Sequence, residues 1–504
     1  MLKNLIISNK YYDSATLMLL TNQIKENLNL KTNEISVMMG TEMNKKIMEN
    51  SDLLNEIGKG ANSGDILIGI KSALDNQKIL NMVDSLLNQE IDNKNSEQLE
   101  INSVDDGIKN YKDTNFAVVS LPGSYAAREV KKLLKAKKHV LLFSDNIDIK
   151  DEIELKDLAI ENDLLMMGPD CGTAIIKGVG LGFSNRVNRG SIGIVAASGT
   201  GLQEVATIIS NNSGGISYAF GTGGRDIKES VGGRMMLYCL DLLIKDEETE
   251  TIVIVSKPPS KNVIEKIINK VKNIKKPVVA CFLGEDISVL QSTNIVFCET
   301  LEETAIKVLE LNGIKYSDSF DVDKILKMIS SDKKNGYIRG IYCGGTLAYE
   351  ALLMLEKQNI EIYSNLSKCE ERRLKVNDKS LYNTILDMGE DEYTIGKPHP
   401  MINSSSRNEQ LLKEAEDESV GIIIADIELG YGANDFAADE LGETIKQIKT
   451  MRSDLVFIVV ICGSKQDYQD YNLKKNLLIM SGAIVVNSNA QGVRLAIELS
   501  KRRG

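Results

Sequence analysis

Two short stretches of the chain share one pattern, and it is the pattern of an anion cradle. Residues 192–209 (IGIVAASGTGLQEVATII) and 338–355 (IRGIYCGGTLAYEALLML) each read as a buried strand, a tight turn of small residues and an amphipathic helix. The turns are Ser198-Gly199-Thr200 and Gly344-Gly345-Thr346, and each is followed by a Glu in the first turns of the helix, Glu204 and Glu350. Glycine lets a ligand approach the backbone closely. The first amides of a helix lack internal partners and lie at its positive end, so such a turn suits phosphate or carboxylate. A single copy serves packing in many α/β proteins. A pair predicts duplicated domains that face one phosphate from two sides. Glu204 and Glu350 are expected to complement the dipoles of their own helices.

Other residues could complete such a site. Gly223 and Gly224 lie in a glycine-rich turn, Gly221-Thr222-Gly223-Gly224, that ends in Arg225-Asp226. Arg225 reads either as a clamp on phosphate or carboxylate, for which its planar fork is suited, or as half of a solvated ion pair. His399, one of only 2 histidines, stands between Pro398 and Pro400. It is either a surface-loop residue or a general acid/base that polarises an acyl oxygen. Arg407-Asn408 follows shortly after and could take a substrate carboxylate, or could simply be a surface pair. Cys171 lacks a neighbouring base. The 7 cysteines form no C-x-x-C pair, so no metal site is expected.

The elements that must position these residues are ordinary. Of 504 residues, 42% are hydrophobic and 26% charged, with no Trp and only 9 Phe. Cores must rest on Ile, Leu, Val and Met. The net charge of −11 without a basic tract argues against nucleic acid or an anionic membrane as partner. Without a leader pattern or a long apolar run, a cytoplasmic location is expected. Continuous apolar strands alternating with helices predict parallel, doubly wound sheets. The expected layout is an N-terminal α/β domain (1–86), a polar linker (87–114), a CoA-binding-like Rossmann-type block (115–189) and two flavodoxin-like domains (190–315 and 336–504). A polar connector joins the last two.

The motifs GPDCGTAI (168–175), GIVAASGTGLQEV (193–205), GTGGRD (221–226) and KPVVACFLG (276–284) resemble successive motifs of the succinyl-CoA synthetase α subunit. With YYDSATLMLL (11–20), IRGIYCGGTLAYEALL (338–353), GKPHPMI (396–402) and LGYGAND (429–435), the whole chain resembles the FdrA family of acyl-CoA synthetase-like proteins. The resemblance implies two tandem synthetase-type ligase domains. It also implies the large subunit of an oxamate carbamoyltransferase, which exchanges a carbamoyl group between oxamate and phosphate in purine breakdown and works with smaller partner subunits. Carbamoyl phosphate and phosphate would then be substrates.

Three departures separate the chain from the synthetase. The segment before Phe116 has no glycine-rich coenzyme A fingerprint, so no resident cofactor is expected. The loop that carries the synthetase's phosphorylated His reads Gly284-Glu285-Asp286-Ile287-Ser288. No nucleotide loop of Walker type is present. The alternatives are an ADP-forming acyl-CoA ligase subunit and a non-catalytic subunit that binds a phosphorylated metabolite.

Overall fold

The computed structural model describes the chain except residues 1, 9, 11, 13, 29, 31–33, 63, 73, 95–100, 287–293, 318–319, 330–335, 396 and 502–504. Ile287 and Ser288 of the loop discussed above, and Gly396 of the GKPHPMI motif, therefore lie outside the described residues. The chain divides into two compact units, Met1–Ser103 and Val104–Gly504. Among the described residues no helix is long and apolar enough to cross a membrane.

The first unit is a split β-α-β layer. Strands Leu2–Ile7 and Ile35–Met39 flank Ile66–Lys71, and both pair with it antiparallel. The alternation Ile35, Val37, Met39 turns one face of the sheet inward, where it meets Leu17, Leu20 and Ile24 of the helix Ser14–Leu28 and Ile79 of the helix Asn76–Lys94.

The expected linker is corrected here. Its start continues the helix Asn76–Lys94, and its end forms the helix Val104–Asn110. Val104 and Ile108 of the latter pack on the core of the second unit. Four-residue spacing places these two apolar residues on one helix face, which the polar composition of the segment concealed.

Among the described residues the second unit contains three sheets. Strands Phe116–Val119, His139–Leu142 and Met166–Met167 form a small parallel sheet. The block 115–189 does not end as one domain. Its hairpin Thr173–Ile176/Val179–Gly182 joins the next sheet antiparallel, beside the strand Ile216–Gly221. The hairpin turn is Lys177-Gly178, both at positive φ (49° and 82°), the backbone that a tight two-residue hairpin requires. It covers what would otherwise be an open sheet edge.

Beyond this hairpin, five parallel strands follow the doubly wound order 2-1-3-4-5, counted from Arg189–Ala196. The last sheet is wholly parallel. Without its short edge strand Ile362–Ser364 it repeats the same order, counted from Tyr337–Tyr342. In both sheets the elbow strand thus lies where the winding reverses, and ligands of parallel sheets collect at that edge.

One apolar core runs through both large sheets. Ile194, Leu202 and Val205 of the first share a cluster with Tyr342, Leu347 and Ala348 of the second. The elbow helices Gly199–Asn211 and Gly345–Lys357 pack against each other within it. Burial of this shared apolar surface, about 25 cal/mol per Å², fixes how the two domains meet.

Candidate functional site

The two elbows touch. Ser198 Oγ lies 2.5 Å from Thr346 Oγ1, and the Thr346 amide donates to Thr200 Oγ1 at 3.3 Å. Helix N-termini separated by 148 positions in the chain therefore converge, as the duplicated turns predict. Their surroundings differ.

In the first elbow Ser198 caps its helix by accepting from the Gly201 amide at 3.0 Å. Gly199 is exposed and Thr200 partly so. The amides of Gly199 and Thr200 are the first two of the helix and have no intrahelical acceptor. Gly223 and Gly224 belong to the next loop, which is tied to the elbow strand by the Thr222 amide donating to the Ala196 carbonyl. Gly223 has φ +82°, and a Cβ there would stand 2.1 Å from the Pro169 carbonyl oxygen. Its role in this structure is the close packing of two loops.

The second elbow is buried except at Gly345, and its strand-end amides are taken. Asp426 accepts from the Cys343 amide at 2.7 Å and the Gly344 amide at 2.8 Å. An internal carboxylate thus occupies part of the place where an outside anion was expected, which corrects the assignment of Gly344 as a free phosphate donor. Asp387 and Glu428 crowd the same turn. A Cβ on Gly345 would lie 2.3 Å from Asp387 Oδ2, and one on Gly344 would lie 2.7 Å from Glu428 Oε1.

Arg225 and Arg407 also need correction. Arg225 is paired with Glu152 at 3.0 Å and donates to the Ile147 carbonyl at 2.7 Å. It braces a buried network in which Lys156 bonds Glu152 and Asp226, both at 2.8 Å. Removing Lys156, Glu152 and Asp226 from water demands such mutual pairing, and Arg225 is part of it. Arg407 is fully buried. It donates to the Asp426 carbonyl at 2.6 Å and to Asn408 Oδ1 at 2.8 Å. Arg407 and Asn408 are engaged with each other and with the strand behind the elbow, away from any incoming carboxylate.

His399 does reach the edge. It is half-buried, and a Cβ on Gly389 would lie 2.5 Å from its Nε2 and 2.9 Å from the Cys343 carbonyl oxygen. Nδ1 accepts from the Met401 amide at 3.2 Å, which assigns the proton of the neutral ring to Nε2. Burial lowers its pKa, partly opposed by Asp426.

Lys257 was not singled out in the sequence. It follows the strand Thr251–Ser256, whose Val255 pairs with Ala196, so it leaves the sheet beside Ser198. Its ammonium stands 5.6 Å from the centre of the Tyr349 ring, in the first turns of the opposite elbow helix. It acts electrostatically on Asp170 in its own half and on Asp387 in the other. Burial pushes the Asp387 carboxyl up to about 7, and Lys257 pulls it back. A Lys at the end of a buried strand, just before Pro258-Pro259, is the signal that could have found it.

Glu204 and Glu350 do something other than complement their own helices. Glu204 accepts from the Asn489 amide at 2.8 Å, at the start of the last helix of the second domain. Glu350 accepts from the Leu301 amide at 2.7 Å, at the start of the last helix of the first domain. Each elbow helix thus caps a helix of the other domain. Burial pushes both carboxyls up, Glu204 to about 8 and Glu350 to about 7.

Comparison with known proteins gives matches along the length of the chain. The CoA-ligase family model matches residues 341–499, the CoA binding domain 187–284, and the AllF heavy metal-associated domain 1–102. The uncharacterized protein YahF of Escherichia coli K12 is 37% identical over 98% of either chain. The α subunit of ADP-forming succinate–CoA ligase from Aquifex aeolicus is 29% identical over 36% of this chain and 60% of its own. A solved dinucleotide-forming acetyl-coenzyme A synthetase 1 from Ca. Korarchaeum cryptofilum is 14% identical, with a TM-score of 0.34 over 77% of this chain and 83% of that one.

Proposed function

The chain belongs to the acyl-CoA synthetase and succinyl-CoA ligase-like family that includes YahF, and from that premise we propose that the sheet edge where its elbows meet transfers an acyl group to or from phosphate. The concrete reaction is carbamoyl exchange between carbamoyl phosphate and oxamate. The observation that carries the reading is the first elbow, with exposed Gly199 beside a lysine at the end of the adjacent strand.

The amides of Gly199 and Thr200 and the Lys257 ammonium would hold the phosphoryl group. His399, whose Nε2 carries the proton, would donate to the carbamoyl oxygen as the oxamate nitrogen attacks the carbamoyl carbon, and the nitrogen's proton would pass to the leaving phosphate. A C–N bond forms, the C–O bond to phosphate breaks, and phosphate leaves carrying the electron pair. Catalysis of this kind rests on positioning and charge stabilisation. Smaller partner subunits would complete the active assembly.

The test is phosphate release from carbamoyl phosphate with and without oxamate, by the chain alone and with its partners. Lys257→Met is expected to lower kcat/KM about 100-fold or more, and His399→Ala to lower kcat about 100-fold. Folded variants with wild-type turnover would remove these roles.

The matches to CoA-ligase and CoA-binding models favour a second reading, an ADP-forming acyl-CoA ligase subunit. Product formation that requires coenzyme A and nucleotide, with none from carbamoyl phosphate, would select it.

A further inference from the structure

The second elbow gathers three side chains that the transfer reaction leaves unused. Cys343 follows the strand Tyr337–Tyr342, and Asp426 and Glu428 end the neighbouring strand Val420–Glu428. Two-residue spacing sends both carboxylates off one face of that strand. Cys343 and Glu428 are 3% exposed and Asp426 is not exposed at all. The thiol sulfur and one oxygen from each carboxylate all lie within 4.8 Å of one another.

Asp426 has its two amide donors and, 4.0 Å from Oδ1, the buried Arg407 guanidinium. Glu428 feels the same guanidinium but is less fully held. Its Oε1 is buried without a hydrogen-bond partner and points to where a Cβ on Gly344 would stand. A buried acceptor left empty beside a second carboxylate is costly and asks for a cation.

We propose that Cys343, Asp426 and Glu428 bind a divalent cation of the zinc class. A thiolate and two carboxylates carry three negative charges. Arg407 supplies one positive charge and the ion two, which balance those three. The thiolate selects zinc or cobalt over magnesium or calcium, and three protein ligands leave a fourth position for water or substrate. Glycine at 344 leaves room for the Glu428 carboxylate. The metal site is independent of the substrate assigned to the first elbow.

Full-length protein stripped with a chelator is titrated with Co²⁺ and, separately, with Zn²⁺. One equivalent of Co²⁺ is expected, with a thiolate-to-cobalt charge-transfer band, and Zn²⁺ is expected to abolish the band and raise Tm. The Cys343→Ser variant loses the band. The isosteric Glu428→Gln weakens Co²⁺ binding about tenfold or more. Cys369→Ser keeps the band, which excludes capture by the exposed Cys369. Folded wild-type protein that takes up no Co²⁺, or takes it up without the band, overturns the proposal. So does a Glu428→Gln variant that binds Co²⁺ as tightly as wild type. In the first case, a rise in Tm of metal-free Glu428→Gln would assign the empty oxygen to a proton shared with Asp426.

Discussion

The two elbows share a backbone and differ in what balances it. The first has Ser198 as its cap, an exposed Gly199 and a partly exposed Thr200. The second has Gly344 in place of the serine, no side-chain cap, and three carboxylates packed around it. Duplication preserved the strand, turn and helix. It did not preserve the electrostatics: in the second elbow Asp426 of the adjacent strand accepts from the Cys343 and Gly344 amides, whereas in the first the equivalent Ala197 amide donates to the Val255 carbonyl. The same local motif is therefore partly exposed in one copy and closed by an internal carboxylate in the other.

This contrast breaks most sharply at Asp426. Asp426→Ala leaves two strand-end amides and Arg407 without their carboxylate, in a buried setting. A loss of about 3–5 kcal/mol is expected by chemical denaturation; a loss below 1 kcal/mol would show that the second elbow does not depend on its internal anion. Next come the glycines. At Gly345 a Cβ collides with Asp387, whereas at Gly199 it meets only Thr173 Oγ1 at 3.4 Å. Gly345→Ala should cost about 1–3 kcal/mol. Gly199→Ala should fold normally and weaken phosphate binding, as read by calorimetric titration. Equal stability losses in the two variants would erase the asymmetry.

The crossed caps give a pH test. The Glu204 carboxyl is held at about 8 against an ordinary value of 4.5, chiefly by burial. Between those values the folded protein holds a proton that the unfolded chain has released, so stability falls as pH rises through the window. Glu204→Gln should match wild type near pH 4.5 and exceed it at pH 8. Denaturation midpoints that stay parallel across this range would contradict the assignment. The smallest effect is at Ser198, where Ser198→Ala should cost about 1 kcal/mol for the lost cap. The same measurement checks it, and a neutral result would leave the Gly201 amide without need of a cap.

Much of the fold was legible because hydrophobic period and turn chemistry are local. The strand–turn–helix units, the parallel doubly wound sheets and the duplication were read from runs such as Ile192–Ala196 and Ile338–Tyr342. The hairpin at Lys177-Gly178 was missed because Gly180 and Gly182 break the alternation of a strand. The helix Val104–Asn110 was missed because its two apolar residues lie in a polar segment.

The site was less legible, since each of its pairings joins residues far apart in the chain. The sequence alone determined that there are two elbows, that each opens a helix, and that the chain carries two histidines, one of them at 399. Only the tertiary structure decided that Asp426 fills one elbow, that Arg225 and Arg407 are engaged internally, that Lys257 stands beside the other elbow, and that Cys343 meets Glu428. The reason is physical: a backbone motif is set by neighbours within a few residues, but the charge it faces is set by whichever strand the packed core places next to it.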